Sequence, residues 1–512
     1  MADTDRFRLR RFVERLVQAG ECEVREQATD LVDVAAVLDG NPRATHFRAA
    51  GPERAELVGN VMGSRRRLAM ALDTDETGLL PTLATRLSQP HKPVKVSAKD
   101  APVQEVVLVG KDADLCALPV HLQHGEDGAP YISAGLDFSH FPATGFTNVG
   151  CRRMMLRGPR HAGIDLIAPS DLRANYLAAV SRGETLPVSF AVGSHPADFM
   201  AAVSATHAMD ELDVVGAVRG APVPIVKCVS NDIFVPADAE YVLEGYLDAN
   251  GHSEPEGPFG EYVGYYGLVK TNPVFHLTAI TRRKDALFQT VTIGGRYLAR
   301  TDTAQVTTVK TESAAWAGLV TAVREPLAVY ATPSSGGMYN VRVSLRQRVP
   351  GEARNAIAAV FGSMAEAKHV FVFDDDIDVF SDEQVDWALA TRCQGDRDII
   401  VAGGFRVVPL DPSLGGARTG AKVGFDCTIP FGKRASLEWG IPMPPVMPKT
   451  NGKANGAKSV ADTLATGPAS FLELMVAAGS RDGREIVREL DALYSAGTLA
   501  RNESGRYMLK GR

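Results

Sequence analysis

Three carboxylates crowd into eight residues at Glu254-Pro255-Glu256-Gly257-Pro258-Phe259-Gly260-Glu261. A helix cannot run through Pro258. Glycines flank the Pro-Phe pair, so the stretch is a shaped loop. Its carboxyls sit at positions set by stiff and permissive backbone rather than on a helix face. Carboxylates held close raise one another's pKa, and a nearby arginine lowers it. Such a loop can keep one carboxyl protonated as an acid and another charged as an anchor. The alternative is a solvated acidic turn, since surface loops are rich in Glu, Gly and Pro.

Other residues that could do chemistry lie on either side. Residues 147–156 alternate as a strand, so Arg152 and Arg153 point to opposite faces. An arginine turned inward needs an anion, whereas two outward arginines would be edge-strand charges. Pro169-Ser170-Asp171 caps a helix that begins near Leu172. A helix start of this kind can neighbour an anion or a metal, or be structural only. Asp374-Asp375-Asp376-Ile377-Asp378 closes a strand. It could bind Mg²⁺ or serve as turn and cap.

The elements that must position these groups read as alternating α and β. Phe7, Leu9, Phe12, Leu16 and Val17 mark an amphipathic helix over 5–19. A buried strand is predicted at 106–109 and a hairpin from 131 to 156 turning at 142–145. Further strands are predicted at 164–168, 187–192, 224–228, 233–235, 274–280 and 287–293, with a helix from 196 to about 205. One long helix, 303–323, joins this region to a second αβ unit. That unit has strands at 327–332, 340–345, 369–373 and 398–401 and helices at 351–366 and 382–391. Residues 444–468 are rich in Pro, Gly, Asn and Lys and read as a linker. The tail, 469–512, shows two helices and a hairpin, like a small winged-helix module.

Composition narrows the classes. The chain has 512 residues, enough for two or three domains. It is 45% hydrophobic and 23% charged, with a formal net charge of −6. Nothing in that balance suggests a nucleic-acid partner, and the longer tail helix mixes Arg488 with Glu485, Glu489 and Asp491. The six cysteines form no CxxC pair, so neither a disulfide framework nor a zinc site is indicated. There is no phosphate-cradling GxxxxGK[ST] and no GxGxxG after a strand. No apolar run reads as a leader or a membrane span, so a cytoplasmic protein is expected.

Three separated pieces share one resemblance. They are Asn148-Val149-Gly150-Cys151-Arg152-Arg153, the stretch from Val226-Lys227-Cys228 through Pro236-Ala237-Asp238-Ala239-Glu240-Tyr241-Val242-Leu243-Glu244-Gly245, and Glu256-Gly257-Pro258-Phe259-Gly260-Glu261. Together they resemble the UbiD-type decarboxylases, which use prenylated FMN, over roughly residues 5–445. The resemblance implies an α/β protein. Its N-terminal part, 1–302, would hold a split-barrel-type prenyl-FMN domain. A connecting helix, 303–325, would lead to a C-terminal αβ dimerisation domain, 326–443.

Residue by residue, the resemblance implies that Arg153 is catalytic, with Glu256 and Glu261 completing a Glu-Arg-Glu set. It implies a metal site at Asn148, Asp171 and Glu211 for Mn²⁺ or Mg²⁺, with K⁺ nearby. Asp171 stands where better-known members carry histidine, and aspartate is also a hard-cation ligand. Cofactor contacts fall to Asn148, Cys151, Arg152, Arg153 and Ser170, with Lys422 on the cofactor phosphate. Gly294-Gly295-Arg296-Tyr297 departs from the family's Pro-Pro-Glu-Asp type run, which opens the question of substrate.

The implied reaction is reversible, non-oxidative decarboxylation of an aromatic, heteroaromatic or α,β-unsaturated acid, up to a phenazine-type polycycle. Losing CO₂ from an sp² carbon leaves a carbanion that no side chain can delocalise, so an electron-sink cofactor is required. Arg153 would grip the carboxylate, Glu256 would orient Arg153, and Glu261 would return a proton to the carbon. A flavin prenyltransferase would supply the cofactor, and the chain would act as a homodimer or higher homo-oligomer. Two other readings remain: an oxidoreductase with ordinary FMN on a split barrel, and a regulator acting through the winged-helix-like tail.

Overall fold

A computed structural model of the chain describes residues 3–142, 144–204, 209–364, 366–448 and 458–511. The chain divides into two compact units, residues 1–428 and 429–512.

The first unit is built around a closed barrel. Its strands are β1 (Tyr131–His140), β2 (Thr147–Gly158), β3 (His161–Ile164), β4 (Leu186–Val192), β5 (Tyr241–Leu247) and β6 (Val274–Arg282). They run in the order β5-β4-β1-β2-β3-β6, and β6 pairs back with β5. Every pairing is antiparallel. Closure leaves no free edge within the ring, and Val106–Val109 adds a seventh strand beside β6. Leu136, Phe138, Val188, Phe190, Leu243 and Phe275 are buried in its core.

Two register features matter for the site. Asp137 lies opposite Gly150. A Cβ at Gly150 would come within 2.7 Å of the Asp137 carboxylate, so glycine is what lets that carboxylate lie over the neighbouring strand. Between the pairs Ile132–Met154 and Gly135–Arg152 the register slips, so Ser133 and Ala134 together oppose Arg153. This is a β-bulge, which re-aims the facing side chain.

Helices cover the barrel: α1 (Asp171–Ser181), α2 (Pro196–Ser204) and α3 (Glu211–Arg219). Ser170 caps α1 by accepting from the Arg173 amide, and Asp210 caps α3 by accepting from Leu212. Before the barrel, the helix Leu9–Gln18 buries Leu9, Phe12, Val13 and Leu16. The strands Cys22–Arg25, Ala44–Ala50, Ala55–Gly59 and Phe288–Thr290 form a further sheet. On it Glu56 accepts from Arg10 at 2.8 Å and Arg48 at 2.9 Å, and His46 lies 2.8 Å away.

The long helix α4 (Asp302–Ala322) matches the sequence expectation to one residue at each end. Asp302 accepts from the amides of Met62 and Thr292 at 2.5 and 2.8 Å. Glu312, at its middle, pairs with Arg65 at 2.8 and 2.9 Å and accepts from the Ala331 amide at 3.2 Å. Beyond it β7 (Pro326–Ala331), β8 (Asn340–Leu345), β9 (His369–Asp374), β10 (Ile399–Arg406) and β11 (Thr419–Asp426) form a sheet in the order β7-β8-β9-β11-β10. Val341, Val343, Val370 and Val372 pack there with Ala315 and Leu319 of α4 and with Ile357 of α5 (Glu352–Gly362).

Some expected boundaries move. The strand expected at 164–168 is β3 and ends at Ile164, which leaves Asp165 just past its end. The helix expected at 351–366 stops at Gly362, and the strand expected at 398–401 continues to Arg406. The acidic stretch is two short ribbons rather than bare loop. Glu254–Glu256 pairs with Lys270–Asn272, and Phe259–Gly260 pairs with Tyr266–Gly267. Part of the expected linker 444–468 is helical, because Ser459 caps a helix at Val460–Thr466. Its residues 449–457 lie outside the described residues. The second unit shows the two expected helices, Phe471–Ala478 and Arg484–Ser495, and the hairpin of Leu499–Arg501 with Tyr507–Leu509. Among the described residues no helix is long and apolar enough to cross a membrane.

Candidate active site

Arg153 leaves β2 opposite the bulge and enters a cluster of carboxylates. Its Nε lies 3.1 Å from Glu256 Oε1, and its Nη2 lies 3.4 Å from Glu256 Oε2. Nη1 donates to both oxygens of Glu261, at 2.9 and 3.1 Å. Nη2 also lies 3.0 Å from Asp165 Oδ2. The guanidinium carbon sits 4.2 Å from the centre of the Phe259 ring, so the loop supplies an aromatic floor as well as acids.

Each carboxylate is held differently. Glu256 is fully buried and accepts a further bond from Asn272 Nδ2 at 3.2 Å. Asp165 accepts from the Ile167 amide at 3.1 Å and lies 3.4 Å from Lys270 Nζ. Lys270 also stands 3.9 Å from Glu261 Oε1. The loop itself is tied down by Asp127, which accepts from the Gly260 amide at 2.8 Å and the His124 amide at 3.0 Å. Gly267 lies so close that a Cβ there would meet Glu261 Oε1 at 2.6 Å.

The electrostatics separate the acids. Burial pushes the Glu261 carboxyl above the usual range, against the pull of Arg153 and Lys270. Burial works the same way on Asp165, but there Arg153 and Lys270 outweigh it and the carboxyl stays low. The arrangement can therefore hold one proton on Glu261 beside a permanently charged guanidinium.

A second group of residues lines a cavity of about 420 Å³: Asn148, Cys151, Arg152, Ser170, Asp171 and Glu211, with Lys310 of α4. Asn148 Nδ2 donates to Asp137 Oδ2 at 2.6 Å. A carboxylate only accepts, so this bond fixes the amide and leaves its oxygen as the free donor atom. Glu211 accepts from the Val149 amide. Burial pushes the Glu211 carboxyl up to about 8; the Val149 amide opposes this, and Asp171, Asp137 and Asp210 add to it. Crowded oxygen donors under that strain fit a hard divalent cation, which would relieve it. Among the described residues no three His, Cys, Asp or Glu side chains gather into a metal site. The candidate set instead counts one amide oxygen and two carboxylates. Arg152 Nη2 donates to Ser170 Oγ at 3.0 Å, which puts a cation and a helix N-terminus on the same wall. That wall suits a phosphate.

The structure thus brings Arg153, Glu256 and Glu261 into contact and sets Asn148, Cys151, Arg152, Ser170, Asp171 and Glu211 around one cavity. It does not bring Lys422 there. Lys422 is buried on β11, its Nζ donating to the Phe361 carbonyl at 2.8 Å. That carbonyl lies in the last turn of α5, where a cation is stabilised by the helix dipole. The run at 374–378 is likewise engaged by arginine: Asp376 takes both Nη atoms of Arg392 at 2.9 and 2.7 Å, and Asp375 takes Arg346 at 2.8 Å. Sequence reasoning missed Asp165, Lys270, Asn272 and Asp127.

Comparison with known proteins gives two family matches. Residues 94–297 match the 3-octaprenyl-4-hydroxybenzoate carboxy-lyase Rift-related domain, and residues 307–427 match the C-terminal domain of the same carboxy-lyases. The anhydromevalonate phosphate decarboxylase of Methanosarcina mazei is 30% identical over 435 residues, which is 84% of this chain and 98% of the relative. Among solved structures, the UbiD-class enzyme HmfF from Pelotomaculum thermopropionicum in complex with FMN has a TM-score of 0.80 at 32% identity, covering 86% of this chain and 98% of its own. An evolved dimeric form of HmfF with prFMN has a TM-score of 0.76 at 31% identity, covering 83% and 95%. The 3,4-dihydroxybenzoic acid decarboxylase of Klebsiella pneumoniae has a TM-score of 0.79 at 26% identity, covering 86% and 98%.

Proposed function

The chain belongs to the UbiD family of carboxy-lyases, and from that premise we propose that it decarboxylates an aromatic, heteroaromatic or α,β-unsaturated acid reversibly with prenylated FMN. The observation that carries this reading is the buried Glu256–Arg153–Glu261 contact, five residues along β2 from Asn148 and its cavity.

Prenylated FMN, when bound, supplies the electron sink that an sp² carbanion needs. Cys151, Arg152 and Ser170 would hold it, and Asn148, Asp171 and Glu211 would hold Mn²⁺ or Mg²⁺ against its phosphate. The chain's own residues do the rest. Arg153 offers a planar fork to the substrate carboxylate. In this structure Glu261 lies on Nη1 of that fork. Two ionised carboxylates do not share one nitrogen readily, so the substrate enters with a proton on Glu261. Burial favours that protonated form. Glu256, pinned by Asn272, holds Nε and Nη2 and keeps Arg153 in place. When CO₂ leaves, Glu261 delivers its proton to the vacated carbon.

The departure at 294–297 puts two glycines in place of the family's bulkier run, and on that ground the proposal extends to a polycyclic acid such as a phenazine carboxylate. Gly294 lies against the acidic loop, where a Cβ on it would meet the Glu261 carbonyl oxygen at 3.0 Å. Gly295 and Arg296 also line a cavity of about 780 Å³ with Val263, Tyr265 and Leu298, but Arg153, Glu256 and Glu261 are not in that lining. The test is expression with and without a flavin prenyltransferase, followed by absorption spectra and assays on phenazine, indole, pyrrole, furan, benzoic and cinnamic acids. Turnover that needs the prenyltransferase and includes the fused-ring acids supports the reading. Activity with plain FMN overturns the cofactor, and turnover confined to cinnamates overturns the wide pocket.

A further inference from the structure

Glu261 and Arg153 are not alone in their pocket. Lys270 Nζ lies 3.4 Å from Asp165 Oδ2 and 3.9 Å from Glu261 Oε1. Asp165 Oδ2 in turn lies 3.0 Å from Arg153 Nη2. Asn272, two positions along the ribbon from Lys270, ties Glu256 to the same group. Its Nδ2 stands 3.2 Å from Glu256 and 3.5 Å from Asp165, while its Oδ1 accepts from the Leu166 amide at 3.1 Å. The residues come from four places: β2, the bend after β3, the acidic loop and the ribbon strand Lys270–Asn272.

The charges facing Glu261 are therefore Arg153 from β2, Asp165 from the bend and Lys270 from the ribbon. Glu256 lies on the far side of Arg153, and the Tyr262 hydroxyl belongs to the adjoining residue. Two cations meet three carboxylates, so the group is neutral only when one carboxyl carries a proton. Glu256 has two arginine nitrogens and an amide, and Asp165 has both cations and a backbone amide. Glu261 has Nη1 and a more distant lysine. It is the carboxyl least supported as an anion.

We propose that Lys270 and Asp165 are positioning residues for the reaction, an ion pair of opposite signs that sets how readily Glu261 holds and releases its proton. The proposal rests on the reading of Glu261 as proton donor. It makes a signed statement about each partner. Removing the Lys270 cation leaves Glu261 with less support as an anion, so its titration moves to higher pH. Removing the Asp165 charge relieves repulsion, so the titration moves to lower pH. Each shift is on the order of one pH unit.

The experiment is an infrared titration of the apoprotein. The carbonyl stretch of the protonated Glu261 carboxyl is isolated by difference against Glu261→Gln, then followed with pH in wild type, Lys270→Met, Asp165→Asn and Lys270→Arg. Opposite shifts in the Met and Asn variants, with the Arg variant near wild type, are expected. The alkaline limb of kcat in the loaded enzyme should move in the same two directions. Equal midpoints, shifts of the same sign, or lowered melting temperature with no shift overturn the proposal. If Glu261→Gln loses turnover but the midpoints do not part, this inference alone fails. If Glu261→Gln keeps full turnover, the donor reading fails, and the midpoints still decide whether the ion pair controls the carboxyl.

Discussion

Glu261 places its two oxygens 2.9 and 3.1 Å from Arg153 Nη1, a nitrogen that Glu256 does not hold. The two acids of the loop are thus assigned to different sides of one guanidinium. In the proposed reading, the Glu256 side anchors the guanidinium and the Glu261 side is where a substrate carboxylate would bind.

Glu261→Gln should lower turnover by about 10²–10⁴-fold while leaving substrate binding largely intact. Stopped assays with a binding titration check the split. Burial raises the Glu261 pKa above its unfolded value, so wild-type activity should fall as pH rises through that raised value. The same sign governs stability. Wild type loses folding free energy as pH climbs from the unfolded pKa through the folded one, and Glu261→Gln does not.

Arg153→Lys keeps a positive charge but loses the fork. Displacement of the gripped acid by about 1 Å is enough for a loss of about 10²-fold. The expected result is a drop of at least that size in kcat/KM, with a rise in KM, measured by initial rates.

Gly267→Ala tests the packing behind the acid. The added methyl would lie 2.6 Å from Glu261 Oε1 and must displace the carboxylate. Turnover should fall by about 10²-fold while circular dichroism stays that of the wild type. Retained activity would show that Glu261 can do its work from another position.

Glu211→Gln weakens the oxygen donor set and removes the carboxylate that burial and its neighbours push up to about 8. Retention of metal and flavin through gel filtration should fall by at least about tenfold, read by elemental analysis and visible absorbance. Prolonged chelation of the wild type should act in the same direction.

Glu56 tests acid stability away from the site. Burial opposes its ionisation, but Arg10 and then His46 outweigh it and hold its carboxyl down at about 2. A depressed folded pKa gives stability that is present above the unfolded value of 4.5 and is lost as pH falls from there toward about 2. Screening at this partly exposed site limits the effect to at most about 1 kcal/mol. Melting curves of Glu56→Gln against wild type should therefore differ at pH 7, draw together below pH 4.5 and converge only near pH 2.

The acidic loop was legible because proline and glycine restrict its backbone in any context, so the carboxyls of Glu256 and Glu261 had to be placed by a turn. Alternation along β2 likewise gave the opposed faces of Arg152 and Arg153. The bulge opposite Arg153 was not legible, because it arises from the register of the partner strand. Asp165 and Lys270 carry no local signature: one is a lone acid in a bend, the other a lone base in a ribbon. They meet only because β3 pairs with β6 as the barrel closes, which brings 165 beside 270–272. Lys422, expected on the cofactor phosphate, donates here to the Phe361 carbonyl. A lysine in a Gly-Ala-Lys-Val strand reads the same whether its amine meets a phosphate or a helix carbonyl.

Helix α4 is tied at its head to Met62 and Thr292 through Asp302, at its middle to Arg65 through Glu312, and along its second half to the core of the β7–β11 sheet through Ala315 and Leu319. A single rod is therefore a structural part of both the barrel region and the C-terminal sheet. Melting either side takes a partner from Glu312, the Arg65 guanidinium on one side and the Ala331 amide on the other. Calorimetry should record residues 1–428 as one cooperative transition, and a fragment cut anywhere inside the helix should fail to accumulate as a folded species.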